Sequence, residues 1–339
     1  MASRIAHTSA AGVATWGLCR LLNPRRRKSC LCEPVASAPT CQKRPLRVLS
    51  QNVWNSFFAG GPERKARLMA FREELERLRV DVVIVQEMFV LGLGPLCLQG
   101  DAEDAGQLLL QLGFVHQTSP TASRPLLGQS SGLVVYSKYP IKKEKHEVFE
   151  SRRSVTAKGW LEVVIVLGSA DGSEAKQLKQ LLLFARELTI FNTHLEHSHH
   201  PSWVCVRQDQ CRQLAKRARE VLAEESASST AYAMVVGDFN VCSNEFGQQL
   251  DGSAEFQALQ VAMQSAGFPA ELPQWFDAER PGTLRPAPDG KLRCTPDHMF
   301  VTCKLKDCCV SSSVADTRDR NGLEVSDHLG LIAEFVIPL

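Results

Sequence analysis

The sequence predicts an α/β (α+β) domain of two packed mixed sheets flanked by helices, running from about residue 45 to residue 339. Three observations lead there. Short apolar runs bounded by polar residues recur along the chain and read as strands. Two amphipathic segments, Pro62 to Arg79 and Trp203 to Glu225, read as helices set between them. The runs between Gly132 and Thr193 are joined by turn chemistry, which favours antiparallel pairing over a purely parallel sheet.

In chain order, Leu46 to Gln51 is the first strand, and it ends at Asn52. The helix that follows puts Leu68, Phe71, Leu75 and Leu78 on one face. Asp81 to Val85 is a continuous apolar run, as expected of a strand covered on both faces, and it ends in Gln86 and Glu87. Met88 to Leu98 is apolar and Gly-rich and fits neither period cleanly. A helix (Glu103 to Leu112), a strand (Phe114 to Thr118) and a polar loop lead to strands at Gly132 to Ser137, Ile141 to Phe149, Trp160 to Leu167 and Leu181 to Thr193. The turn-rich segment 168–173 separates the last two. After the long helix, Ala233 to Val236 is a buried strand, Ala254 to Ala266 a helix, Thr295 to Val301 a strand and Gly330 to Ile337 the final strand.

Residues 1–44 stand apart. With Pro45 they hold eight basic residues against Glu33 alone, so this tail carries +7 and the remainder −5 of the chain's net +2. The tail is expected to be a disordered basic segment or an organellar transit peptide. The acidic remainder counts against a sequence-independent polyanion binder. Twelve cysteines form no CxxC pair, and Cys205, Cys211 and Cys303 fall in apolar-periodic segments as small hydrophobes. Reduced thiols in an intracellular compartment, cytoplasmic or organellar, are the expectation. No run approaches the ~20 apolar residues of a membrane span.

Chemistry concentrates at strand boundaries. Asn52, Glu87, His194, Asp238 with Asn240, Asp297, and Asp327 with His328 each stand at the end or the start of an expected strand. Gly237-Asp238-Phe239-Asn240 alone reads equally as a type I turn or as a carboxylate-plus-amide site for a cation and a phosphate. The full set narrows the choice, because carboxylate and amide oxygens hold Mg²⁺ and imidazoles move protons. His197, His199 and His200 match no standard zinc ligand spacing and are expected to be loop residues.

The ordered motifs Asn52-Val53-Trp54, Gln86-Glu87, Gly132 to Lys138, Asn192-Thr193-His194-Leu195, Gly237 to Asn240, Pro296-Asp297-His298 and Ser326-Asp327-His328 resemble the endonuclease/exonuclease/phosphatase superfamily. The resemblance covers residues 46–337 and implies its four-layer α/β/β/α sandwich. Ser131 to Ile141, Ala157-Lys158-Gly159 and Arg207-Gln208 look most like the neutral sphingomyelinase branch. His194 stands where the abasic-site endonucleases carry tyrosine. His298 departs from the tyrosine that many members have after the aspartate, and the membrane-spanning pair of some animal relatives does not occur in this chain.

The resemblance implies a Mg²⁺-dependent phosphodiesterase, Mn²⁺ being an alternative cation. Glu87, Asn52 and Asp327 are implied as the metal group. His328 is the implied general base and Asp297 its orienting partner, with Asp238 and Asn240 on the water and the phosphate. His194 is implied to donate to phosphate oxygens, and Lys158 and Arg207 to bind substrate. A phospholipid substrate, met through peripheral membrane contact of residues 88–98, is the first expectation. A nuclease or a nucleotide or inositol phosphatase is the alternative.

Overall fold

The computed structural model describes residues 45–55, 63–89, 91–93, 96–98, 101–119, 128–151, 156–167, 186–197, 200–225, 231–243, 253–273, 282–285 and 294–338. The basic tail, the turn-rich segment 168–173, the expected strand start at 181–185 and His199 lie outside these residues.

The strands are β1 (Leu46–Asn52), β2 (Val82–Gln86), β3 (Leu91–Leu93), β4 (Leu96–Leu98), β5 (His116–Gln117), β6 (Gly128–Gln129), β7 (Val134–Ser137), β8 (Ile141–Val148), β9 (Gly159–Leu167), β10 (Arg186–His194), β11 (Tyr232–Asp238), β12 (Ala270–Leu272), β13 (Asp297–Val301), β14 (Cys309–Ala315) and β15 (Gly330–Phe335). The helices are α1 (Arg64–Leu78), α2 (Asp101–Leu110), α3 (Val204–Glu225), α4 (Ala254–Ser265) and α5 (Cys303–Asp307). Two six-stranded mixed sheets result, ordered β14-β15-β1-β2-β7-β5 and β12-β13-β11-β10-β9-β8, and a small sheet is ordered β4-β3-β6.

Strand alternation builds the layers. Val48, Val82 and Ile84 of the first sheet share one buried cluster with Val163, Ile190, Met234 and Val236 of the second, which is the core between the sheets. Their neighbours Leu49, Val83 and Val85 point the other way, onto Leu68, Phe71 and Leu75 of α1 and Leu109 of α2. On the far side Phe191, Ala233 and Val235 meet Leu214 and Ala218 of α3 and Phe256, Leu259 and Met263 of α4. The chain is therefore a four-layer α/β/β/α sandwich, as expected. Strands with apolar residues on both faces show why β2 and β11 read as unbroken apolar runs.

Several elements differ from the sequence reading. The 88–98 stretch is the β3–β4 hairpin, with Leu91 opposite Leu98, preceded by buried Met88 and Phe89. Its glycines and short length mask the two-residue period. β14 carries the polar sequence CVSSSVA at a sheet edge, where only one side needs a partner, so its pattern is weak. β11 continues through Gly237 and Asp238 instead of stopping at Val236. Cys211 is buried as expected, but Cys205 and Cys303 are exposed. Cys242 and Cys294 form a disulfide, contrary to the expectation of reduced thiols throughout. They are 52 residues apart in sequence, so spacing gave no sign of the pair. No helix among the described residues is long and apolar enough to cross a membrane.

Gly237 is a fixed point of the second sheet. It lies opposite Thr193 with φ +143, and a Cβ there would fall on the Thr193 carbonyl. Gly237→Ala should therefore lose roughly 1–3 kcal/mol or more of stability in denaturant titration. An unchanged midpoint would contradict this close strand approach.

Candidate active site

The parallel pairs β1–β2 and β10–β11 send their carboxyl ends to one edge, and the antiparallel partners β13 and β15 begin at that edge. Register then sets the neighbours. Asn52 lies opposite Gln86, His194 opposite Asp238, and Asp238 opposite Asp297. Behind this edge Gln86 Nε2 donates to Asn192 Oδ1 at 2.8 Å, and Asn192 Nδ2 donates to the Val85 carbonyl at 2.9 Å. These buried amide bonds tie the two sheets together directly beneath the cluster.

Asp238 is the hub. Its Oδ2 accepts from Asn52 Nδ2 at 3.0 Å, lies 3.3 Å from His194 Nε2 and 3.9 Å from His328 Nε2. Asn52 Nδ2 also donates to Glu87 Oε1 at 3.2 Å, while its Oδ1 accepts from the Trp54 N–H at 2.9 Å, which fixes the amide orientation. On the other side His328 Nδ1 bonds Asp297 Oδ2 at 2.8 Å. Asn52, His194, Asp238, Asp297 and His328 are all buried.

Lys158, the residue before β9, sends Nζ to 2.6 Å from His194 Nε2. An ammonium there makes Nε2 an acceptor and leaves the proton on Nδ1, which has no partner. Asn240 closes a side-chain turn on Asp238 in place of the type I turn that the Gly-Asp-x-Asn sequence also allowed. Its N–H donates to Asp238 Oδ1 at 2.9 Å, and its Nδ2 donates to the Leu195 carbonyl at 3.1 Å.

Backbone strain gathers at the same edge. Trp54, Glu87 and Asn240 have φ of 45, 61 and 51; Glu87 is the first residue after β2, and Trp54 and Asn240 are the second after β1 and β11. Asparagine tolerates this conformation; glutamate and tryptophan do so at a cost of about 1–3 kcal/mol.

Two expected residues stand apart from the cluster. Arg207 is buried in a bidentate pair with Glu255 of α4, at 2.7 and 2.9 Å. Asp327 is exposed, bonded to the Ser326 hydroxyl at 3.1 Å, and it reaches the site through its charge on His328. His298 points to the opposite face of β13, between Glu271 and the Val241 carbonyl, each at 2.7 Å. Two residues here had no sequence signal. Gln51 Nε2 donates to the His328 carbonyl at 3.0 Å, and the Thr283 hydroxyl donates to Asp297 at 2.6 Å.

Electrostatics follow from burying this many charges together. Burial pushes the Asp238 carboxyl upward, with Asp297 adding to the shift and His328 and Lys158 opposing it. Burial lowers Lys158, and it lowers His194 well below the usual imidazole range with the charge of Lys158 helping. For His328 burial is outweighed by the charge and hydrogen bond of Asp297 and by the charges of Asp238 and Asp327. Together they push it up to about 10.

Glu87, His194 and Asp238 each offer a ligand atom within 4.8 Å of the others, and so do Asp238, Asp297 and His328. Two carboxylates with an imidazole beside them are donors for a divalent cation, whereas the expected ligand Asn52 turns its Nδ2 toward both carboxylates and so serves as a hydrogen-bond donor to them. Such a cation would also relieve the burial penalty on the Asp238 charge. The residues present therefore fit a metal.

A family model described as the Endonuclease/Exonuclease/phosphatase family matches residues 49–328. The chain belongs to this family. Its members are metal-dependent phosphoric ester hydrolases. Sphingomyelinase C from Streptomyces griseocarneus is 16% identical, with TM-score 0.55, over 87% of this chain and 100% of its own. Truncated Caenorhabditis elegans TDP2 is 14% identical, with TM-score 0.57, over 88% and 100%. A beta toxin from Staphylococcus aureus with bound magnesium ions is 15% identical, with TM-score 0.55, over 87% and 100%. At these identities the likeness to each is one of fold. No curated protein sequence matches the chain.

The raised His328 has a sign that can be checked. Its folded value lies above the ordinary 6.5, so its contribution to stability is complete below about pH 6.5 and is lost as pH rises through about 10. With a chelator present, the thermal midpoint of wild type should exceed that of His328→Gln most at about pH 6, and the gap should shrink toward about pH 10. A gap that widens with pH would contradict the charge assignment.

Proposed function

We propose that this site hydrolyses a phosphate diester by water attack, and that its substrate is a phospholipid of the sphingomyelin type. The observation that carries the reaction type is the convergence on Asp238. Glu87, Asn52, His194 and Lys158 stand on one side of it and the Asp297–His328 pair on the other.

In this reading Glu87 and Asp238 would hold the cation, Mg²⁺ or Mn²⁺, with Asn52 Nδ2 donating to both carboxylates and the charge of Asp327 nearby. A divalent cation there supplies Lewis-acid polarisation of a phosphoryl oxygen and offsets the carboxylate field that otherwise keeps His328 protonated. Asp297 Oδ2 accepts the hydrogen bond of His328 Nδ1–H, so Nε2 is the nitrogen directed toward Asp238 and the water. His328 accepts the water proton as the new P–O bond forms and the bond to the lipid alcohol breaks, the leaving alkoxide taking a proton from solvent. Asp238 and Asn240 position the water and the phosphate. Lys158 donates to the phosphate oxygens, with His194 as its acceptor partner, which shifts to Lys158 the donor role first assigned to His194.

Two features favour lipid: the net −5 of the chain beyond the tail, and the β3–β4 hairpin that begins four residues after Glu87. Met88 and Phe89 are buried, so peripheral membrane contact falls to the hairpin alone. One observation favours a nuclease instead. Trp54, two residues from Asn52, is 36% exposed, with Arg67 over its ring at 4.8 Å, a surface on which a base can stack.

A Mg²⁺-dependent panel of sphingomyelin, phosphatidylcholine, single- and double-stranded DNA, RNA and inositol phosphates tests the reading. Release of phosphocholine without nicking of DNA is the expected result. His328→Ala and Glu87→Ala should each lower it by ~10²–10⁴-fold with the fold intact. Nicking of DNA without lipid hydrolysis would favour the nuclease, and wild-type rates in either variant would overturn the site.

A further inference from the structure

The segment 283–285 touches the catalytic pair from behind, and among the described residues no strand boundary announces it. Leu284 bridges His328 antiparallel, the Leu329 N–H donates to the Thr283 carbonyl at 2.6 Å, and the Arg285 N–H donates to the Asp327 carbonyl at 2.8 Å. The Thr283 N–H in turn donates to the carbonyl of Cys294, at 3.0 Å. The segment is thus pinned between the strand start that carries Asp297 and the loop that carries His328.

Its side chains complete the arrangement. The Thr283 hydroxyl, fully buried, donates at 2.6 Å to Asp297 Oδ2, the same oxygen that binds His328 Nδ1. A carboxylate turns easily about its last torsion, which is broad and two-fold, so one imidazole contact alone leaves two near-equivalent ways to bind. A second donor on the same oxygen selects one of them. Arg285 fixes the other partner, donating to the carbonyls of Ser326 at 2.6 Å and Thr317 at 2.8 Å, on the two flanks of the loop that leads to His328.

We infer that Thr283 is a positioning residue that sets the orientation of Asp297 and, through it, the Nε2 direction of His328, with Arg285 holding the loop in register. The inference rests on the hydrolase reading for its kinetic consequence but not for its structural one. A misaimed base is costly, since displacements of about 1 Å reduce rates by ~10²-fold. The effect should therefore fall on turnover, because neither residue is required to contact substrate.

The test compares Thr283→Val, which removes the hydroxyl and keeps the branched shape, with Thr283→Ser, which keeps the hydroxyl. On a soluble diester such as bis(p-nitrophenyl) phosphate with Mg²⁺, Thr283→Val should lose ~10-fold or more in kcat with KM nearly unchanged, and Thr283→Ser should recover most of it. Thr283→Ala replaces the valine variant if that fails to fold. In parallel, nuclear magnetic resonance of ¹⁵N-histidine-labelled protein should show the downfield Nδ1 proton of His328, assigned by its loss in His328→Gln. That signal should persist in Thr283→Ser and exchange away in Thr283→Val. Equal loss in both variants would mean that packing, not the hydroxyl, matters. An unchanged kcat and an unchanged signal in Thr283→Val would also overturn the inference. If wild type cleaves no diester, the hydrolase reading fails, and the histidine spectrum alone decides whether Thr283 orients the pair.

Discussion

Carboxylates do not stand together out of water unless positive charge or hydrogen bonds compensate them, and at one edge of this sandwich several do. Glu87, Asp238 and Asp297 are threaded with His328, Lys158 and the Asn52 amide, so each carboxylate has a positive or donating neighbour within 4 Å. The compensation comes from elements of both sheets. Asn52 ends β1, Lys158 precedes β9, and His328 precedes β15. Such a cluster exists only while the sheets stay packed and their strands stay in register.

Much of the remaining structure maintains that register. The apolar alternation that separates the three clusters keeps the sheets facing each other, and the Gln86–Asn192 amide pair joins them just beneath the charges. Gly237 lets β11 approach β10 closely enough for His194 and Asp238 to stand opposite each other. The Cys242–Cys294 disulfide links the segment after Asn240 to the segment before Asp297. Positive φ at Trp54, Glu87 and Asn240 turns each chain sharply once its polar side chain has been delivered.

The long strands and helices were legible because their periods are strong, and the site was legible wherever a strand boundary carried a polar side chain. Asp238 and Asn240 illustrate how two readings coexist, since the turn that closes on the Asp238 carboxylate is also what aims it. Contacts that arise only through folding were not legible. Arg207 sits beside Gln208 in a motif that implied substrate binding, yet its charge is consumed by Glu255, which is 48 residues away in sequence. Thr283 and Gln51 act through hydrogen bonds to residues 14 and 277 positions away, and neither period nor motif marks such residues. The β3–β4 hairpin and β14 were obscured by glycine and serine, which weaken the pattern of a strand without preventing one.

The account depends most on Glu87 and Asp238 acting together as a divalent-cation site. Titrating Mn²⁺ into the protein while following the electron paramagnetic resonance signal of the free ion measures this directly, whatever the substrate proves to be. Wild type should quench the signal saturably and release the ion to Mg²⁺, whereas Glu87→Gln and Asp238→Asn should each weaken binding by at least ~10-fold. Equal Mn²⁺ affinity in wild type and both variants, or no binding by wild type, would contradict the account.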